Sequence, residues 1–587
     1  MIKSNYIFTL NILIVTIIAY CFSKYLFVNN LLGSDYGYYL PILSSNKAWF
    51  FSKGLVPPLF TPNFCAGFVS FANPQDFFYS FKQLFFNVFS INNFLIIILI
   101  FYSIIGFLGT FLLLNQSFQI KKNLAYLGSY FFTFNGFFLV RYLVGHLGFL
   151  DFALLPLFMY LVIKSTQLVE VKFKFSLVII CGLIFASLIY AGSIAIIINF
   201  FCSALAILII YYDKYKFFYK NFINMILSTV LGILISSLKI SLFLEVLNNI
   251  PRDLSSIFFI DYISYIKFIL NALFGFSSIY ENNFFQESYL AEFHELNYNI
   301  GFLGILFVFS LFNKFLLRKY ILTYSGILFT CLIIGFISTS ENINNFLGLN
   351  QITIIPWRFL SILIIPIILI SLININNIFE KKNILTLKIN FILCLIIALF
   401  LSLQFFTIKN QFSGNYKINP TMQNYELGQI KYVSAFLDKN KNNFIYPILR
   451  NDLIFNNSST LNCYEPIHGY QNEKMVTKDF KFTEIKNYPE LRIALLNPLL
   501  INNGRFGFYN PACFLYPEVN NCNPYDTFKE NEFEKLKNFL SFNKFEYKKD
   551  KSFIVFLVIS ISIFFLCLSF LIFILAIIIK RQFRPIN

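Results

Sequence analysis

The sequence predicts an all-α polytopic membrane protein of about twelve transmembrane helices with a small extracytoplasmic α/β domain near its C-terminal end, and three observations predict it. Hydrophobic residues make up 57% and charged residues 13% of the 587 positions, against roughly 25% charged in soluble domains; mean hydropathy is +0.67. Apolar runs of about 17 residues or more recur near 6–28, 93–114, 124–142, 148–164, 174–190, 193–212, 222–241, 298–317, 321–338, 358–375, 386–407 and 552–579. Between them the basic clusters fall on the same side at every second connection: Lys3, Lys121/Lys122, Lys164/Lys172/Lys174, Lys214/Lys216/Lys220, Lys314/Arg318/Lys319, Lys381/Lys382/Lys388 and Lys580/Arg581/Arg584.

The elements follow in order. The N-terminal run has a single Lys ahead of about twenty apolar residues and no small-residue cleavage site, so it reads as an uncleaved anchor. By the positive-inside rule both termini face the cytoplasm, and the outer face receives the long segments 29–92, 242–297, 339–357 and 408–551. Residues 1–407 form the transmembrane core. Residues 408–551, of mixed polarity, are long enough to fold as a domain, and 552–587 supply a last helix and a basic cytoplasmic tail. The net charge of +17 is spread among short clusters between apolar spans, which argues against nucleic acid as a partner. Most cysteines lie inside apolar runs as small hydrophobes, while Cys65, Cys463, Cys513 and Cys522 fall in loops; a Cys513 to Cys522 bridge requires an outer location. The lack of clear internal repeats weighs against transporter folds built from inverted halves.

The first outer segment places Asp35, the first acidic residue of the chain, just beyond the first span. A stretch rich in Gly and Pro from Gly54 to Pro74 follows, which suits an irregular loop on the membrane surface. This loop, with "GLVPPLFTPNFCAGF" and "NPQDFFYS", resembles that of the bacterial YfhO-type membrane proteins, members of the GT-C superfamily of glycosyltransferases that use lipid-linked sugars. It departs from their pattern at Phe60, Phe68 and Ser80. "NGFFLVRYLVGHLGFLDFALLPL", "HELNYNIGFLGIL" and "IPWRFLSI" extend the resemblance over about the first 380 residues. It implies a GT-C-like transmembrane core in which Asp35 is the catalytic base, or holds a metal, at the membrane interface. A carboxylate there would take the proton of an acceptor hydroxyl as the polyprenyl phosphate leaves. An isolated interfacial Asp can equally cap or solvate a loop.

Other candidates cluster near the predicted outer boundary. Arg141, His146 and Asp151 stand five positions apart around a span junction. Arg141, expected at the outer end of the third span, could hold a lipid phosphate or snorkel to the interface, and His146 could orient phosphate or acceptor. In the acidic segment with Glu281 and Glu287, a helix from Ser288 would put Glu292 and Glu295 on one face, suited to positioning an acceptor or, with Asp35, a divalent cation such as Mg²⁺ or Mn²⁺. His294 and Glu295 lack the second His of an HExxH zinc motif. Trp357 suits an interfacial aromatic belt, and Arg358 could join Arg141 on a phosphate. Arg252 and Asp253 pair more simply with each other. In the outer domain Tyr464, His468, Tyr470, Phe508 and Tyr509 read more simply as core than as a sugar-binding surface.

The expected function is transfer of a sugar from a polyprenyl-phosphate donor to an extracytoplasmic acceptor, a cell-surface glycan, lipid or protein, at the bacterial inner membrane. Asp35 serves as base, Glu292, His294 and Glu295 contact acceptor or cation, and Arg141, His146 and Arg358 neutralise the leaving phosphate. No cofactor is required by the sequence. A flippase or transporter of lipid-linked saccharides remains open, with Lys239 and Glu245 near a span edge as its nearest candidates, able to snorkel. So does a non-catalytic envelope assembly protein.

Overall fold

A computed structural model of the chain describes residues 2–29, 31–61, 63–64, 69–192, 194–249, 258–274, 293–347, 355–382, 386–412 and 551–582, with short stretches between 414 and 529. Its order is α1 (Ile2–Val28), α2 (Tyr36–Lys53), α3 (Phe81–Val88), α4 (Ile91–Leu112), α5 (Lys122–Thr133), α6 (Gly136–Val144), a 3₁₀ stretch (Leu147–Leu154) running into α7 (Leu155–Gln167), α8 (Val171–Tyr190), α9 (Ile194–Tyr215), α10 (Tyr219–Ile235), α11 (Ser237–Asn249) and α12 (Tyr262–Phe274). Then come α13 (Phe293–Leu296), α14 (Phe302–Leu311), α15 (Lys314–Lys319), α16 (Ile321–Thr339), α17 (Glu341–Phe346), a second 3₁₀ stretch (Pro356–Leu363) entering α18 (Ile364–Lys382), and α19 (Thr386–Gln411). The last helix, α20, spans Lys551–Gln582.

The chain is thus an α-helical polytopic membrane protein. Among the described residues, 8 helices are long and apolar enough to cross a bilayer, or 9 if α10 and α11, bent by 72° at their junction, form one span. Three of the twelve expected spans do not meet that measure among the described residues. The run 124–142 breaks after Phe134, where the Asn135 side chain accepts from Phe138 N at 2.9 Å and starts a new helix. The run 298–317 begins with non-helical backbone through Gly301, leaving α14 only 10 residues, about 15 Å and half a bilayer. The run 386–407 contributes a shorter apolar helix, Cys394–Lys409.

The architecture grades from centre to lipid. Of the apolar window of Pro356–Ile378, 94% is buried, against 11% for the final helix, so α18 is the central element and α20 lies at the rim. Around α18 pack α5, α9 and α14, while α8 and α10 lie side by side next to α7 and α20. Between residues 432 and 529 the described stretches include six short strands: β1 (Tyr432–Ser434), β2 (Ser458–Thr460), β3 (Phe482–Ile485), β4 (Tyr488–Ala494), β5 (Arg505–Gly507) and β6 (Thr527–Lys529). They pair as a four-stranded sheet of order β2-β1-β4-β3 and an antiparallel β5-β6 pair. Cys463, Cys513, Cys522 and the candidate aromatics Tyr464, His468, Tyr470, Phe508 and Tyr509 lie outside the described residues.

Two buried ionic groups tie the first loop to the helices. Lys82, ahead of α4, pairs inside the protein with Asp151 of the first 3₁₀ stretch, and Tyr102 donates to the same carboxylate at 2.7 Å. Lys239, at the α10–α11 bend, is also buried: its ammonium donates to the backbone carbonyl of Asp76 and lies over the rings of Phe71 and Tyr190. The snorkelling expected of Lys239 is therefore corrected, because the loop folds over the bend and supplies an acceptor and aromatic faces closer than water. The Asp76 carboxylate is held by Asn46, Ser70 and the Phe78 amide.

Removing one partner of a sealed pair strands the other charge, at about 3–5 kcal/mol, whereas replacing both with apolar groups is close to neutral. Lys82→Met is therefore expected to lower the melting temperature of the detergent-solubilised protein strongly, and Lys82→Met with Asp151→Leu to recover most of it. Additive losses in thermal unfolding would contradict this pairing.

Candidate active site

The site forms where three segments distant in sequence meet at the end of α6 and a fourth, the 3₁₀ entry to α18, brings Arg358 to them. The first is the turn after α1. Gly33 N donates to Leu143 O at 2.9 Å, and a Cβ on Gly33 would stand 2.5 Å from Val144 Cα, so only glycine lets the turn lie this close. Tyr36 donates its hydroxyl to Tyr142 O at 2.6 Å. The second segment is the end of α6 itself. Gly145 has φ +102° and closes the helix in the left-handed conformation, so that His146 N bonds back to Arg141 O at 2.9 Å. That cap brings the side chains of Arg141 and His146 together. The third is α13 and the strand-like run after it, where Tyr298 N and Ile300 N bond to Ala272 O and Leu273 O, and Gly136 N donates to Asn299 O at 2.8 Å.

At the junction Glu295 lies between two arginines. Arg141 binds its carboxylate through both terminal nitrogens, at 2.9 and 2.7 Å. Arg358, from the 3₁₀ entry to α18, binds it through Nε at 2.9 Å and through Nη2. His294 Nε2 is 3.0 Å from Glu295 Oε1, and the Trp357 indole donates to Glu295 O at 3.0 Å. Phe149 lies beneath both guanidiniums.

His146 links this clamp to Asp35, and its tautomer follows from its partners. Arg141 Nη1, which can only donate, lies 2.8 Å from His146 Nδ1. Nδ1 is therefore the acceptor, the proton sits on Nε2, and that N–H points at the Asp35 carboxylate, its contact partner. Asp35 occupies the position before α2 yet makes no side-chain bond to the helix, so the capping alternative fails and the carboxylate is turned to His146 instead.

Exposure rises along the chain of contacts. The Arg141 and Glu295 side chains are 0% and 1% exposed, whereas Arg358 and Asp35 are 19% and 21% exposed. A ligand therefore meets a carboxylate and a guanidinium, each braced from behind. Burial by itself would raise the Asp35 carboxyl, but the adjacent His146 overcomes it and holds it below its ordinary value. Burial, aided by Arg141, pushes His146 down to about 4, so it is neutral at neutral pH. Burial likewise opposes ionisation of Glu295, yet Arg141 and Arg358 hold it well below the usual carboxylate range. At pH 7 the Arg–Glu–Arg group carries one net positive charge and Asp35 one negative charge, with a neutral imidazole between.

One donor atom from each of His146, His294 and Glu295 lies within 4.8 Å of the others, as in a metal site. The set does not fit a cation: both nitrogens of His146 and both oxygens of Glu295 are already engaged, and two guanidiniums stand beside them. Glu292, the other expected ligand, lies outside the described residues, as do Glu281, Glu287, Arg252 and Asp253. The structure brings together Asp35, Arg141, His146, His294, Glu295 and Arg358. Arg141 stands in the last turn of the short buried α6, its side chain inside the protein. Trp357 is wholly buried against Phe259 and Phe268, which corrects its expected place in an interfacial belt. Asp151 belongs to the separate Lys82 pair.

Between pH 6.5 and about 4 the unfolded chain binds a proton at residue 146 that the folded chain refuses, so stability is full above 6.5 and falls by about 3 kcal/mol as the pH drops through that window. His146→Gln, which can still accept from Arg141 and donate to Asp35, is expected to flatten the fall in melting temperature from pH 6.5 to 4; an unchanged slope would place the titration elsewhere.

No protein-family model matches the chain, and no curated protein matches it.

Proposed function

We propose that the protein is a membrane glycosyltransferase of the GT-C type that moves a sugar from a polyprenyl-phosphate donor to an acceptor outside the cytoplasm. The observation that carries this reading is the pair of outermost groups: an ionised Asp35 fixed by the His146 N–H, and Arg358 at the open end of a net-positive Arg–Glu–Arg clamp. Glycosyl transfer needs both. The acceptor oxygen bonds to the anomeric carbon while its proton passes to Asp35; the bond from that carbon to the phosphate oxygen breaks, and the electron pair leaves with the polyprenyl phosphate. Arg358 meets the developing phosphate charge. Arg141, fully buried, acts behind it by fixing Glu295 and His146, and Glu295 holds the clamp rather than the acceptor. The loop motifs that resemble YfhO-type proteins support the same reading. The proposed orientation puts both termini in the cytoplasm, the site and residues 408–551 outside, and the chain in a bacterial inner membrane.

A transport reading for lipid-linked saccharides draws on one observation, the buried Lys239 at the bend of α10 and α11, since an ionisable group inside a broken span is common in transport paths.

The test compares surface glycans and polyprenyl-linked sugars in wild-type and Asp35→Asn cells by mass spectrometry, at matched membrane levels. Loss of a general base lowers turnover by about 100-fold or more. One sugar should disappear from the surface as its lipid-linked donor accumulates; an unchanged profile removes Asp35 as the base. With purified protein, EDTA is expected to leave transfer intact, because the histidine and carboxylate donors are committed to protein partners. Loss of transfer on chelation, restored by Mg²⁺ or Mn²⁺, would show a cation bound elsewhere at Asp35.

A further inference from the structure

The chain leaving α19 returns to the Asp35 turn. A Cβ on Gly414 would stand 2.3 Å from the carbonyl carbon of Leu31, so the two backbones touch. Tyr416 N donates to Leu32 O at 3.0 Å, and its ring, 2% exposed, stacks on Tyr36 with centroids 6.3 Å apart. Further on, Tyr425 donates to Asn63 Oδ1 at 2.8 Å, and Asn63 donates to Ser45 Oγ at 2.6 Å. Tyr416 and Tyr425 are therefore attached at the two ends of the first half of α2: Tyr416 at Tyr36, next to Asp35, and Tyr425 through Asn63 at Ser45.

We propose that Gly414 and Tyr416 form a strap that positions Asp35, with Tyr416 as the positioning residue that presses the 31–36 turn onto the end of α6. Asp35 is held from one side by the glycine contacts to α6. The other side of the turn has Tyr416, whose amide bonds Leu32 three residues before the carboxylate and whose ring covers Tyr36 immediately after it. The strap also makes the start of residues 408–551 part of the site, so this region reaches the base through its first few residues. The catalytic meaning of the strap rests on the reading of Asp35 as base; its mechanical meaning does not.

Hydrogen exchange read by mass spectrometry on the full-length protein in lipid nanodiscs separates the two. In Tyr416→Ala, which keeps the backbone amide and removes the ring stacked on Tyr36, exchange over residues 31–39 is expected to rise about two- to tenfold, the range set by one lost aromatic pair, with α4 and α18 unchanged. Tyr416→Phe, which keeps the amide and the ring, should match wild type. Gly414→Val, which forces the strap off Leu31, should reproduce the local rise if Tyr416→Ala folds poorly. In a transfer assay Tyr416→Ala should lower kcat with the donor KM unchanged. Exchange over 31–39 equal to wild type in both variants, or a rise spread evenly over the protein, overturns the strap. If Asp35→Asn leaves the glycans unaltered, the transferase reading falls while the exchange result still decides the strap.

Discussion

The Glu295 carboxylate between Arg141 and Arg358 is the interaction on which the site depends. Its partners come from α6, from α13 and from the entry to α18, segments separated by more than a hundred and fifty residues from first to second. Each guanidinium alone in this interior would be an uncompensated charge. One carboxylate bound by two bidentate forks compensates one of the two charges and fixes both planes. With the planes fixed, Arg141 has one direction left for its second Nη1 contact, the His146 ring, and the tautomer of that ring decides where Asp35 meets a proton donor.

Helix ends, more than helix faces, carry the chemistry. Asp35 precedes α2, Arg141 and His146 flank the C-cap of α6, Glu295 lies in the short α13, and Arg358 opens the helix that runs through the centre. Breaks in apolar runs leave backbone groups that need partners, and in a bilayer interior these must come from protein. Asn135, Gly136 and Asn299 meet that need at the α5–α6 break, and in doing so they dock the segment carrying Glu295 onto the helix carrying Arg141.

The sequence reveals the membrane class, most spans and the members of the site, because apolar length and isolated charges near predicted boundaries survive without tertiary knowledge. The break within 124–142 was legible too: "FNGFF" places a capping residue before a glycine, a helix-start signal inside a hydrophobic run. Partnership was not legible. Nothing in linear spacing says that Arg141 would choose Glu295, 154 residues away, over a phosphate, or that Lys239 would find the loop carbonyl of Asp76 instead of the interface. Tyr416 carries no motif at all, since its role lies in a backbone amide and a stacked ring.

Stability does not explain why so many charges are buried. A buried ion pair replaced by well-packed apolar groups is often neutral or more stable, so the pairs here need another reason. For the Lys82–Asp151 pair and for the Lys239 ammonium on the Asp76 backbone carbonyl a structural one suffices, because both are sealed and both join the first loop to the membrane helices. The clamp at Glu295 differs in a single respect: its outermost side chains, Asp35 and Arg358, are partly exposed and carry opposite charge. A purely structural network has no use for an ionised carboxylate turned away from the helix end it could cap. On the proposed transferase reading the clamp has a use, since a base must be held ionised and aimed, and a cation must be kept from collapsing onto that base. The neutral imidazole of His146 serves both, aiming Asp35 while separating it from the positive clamp behind.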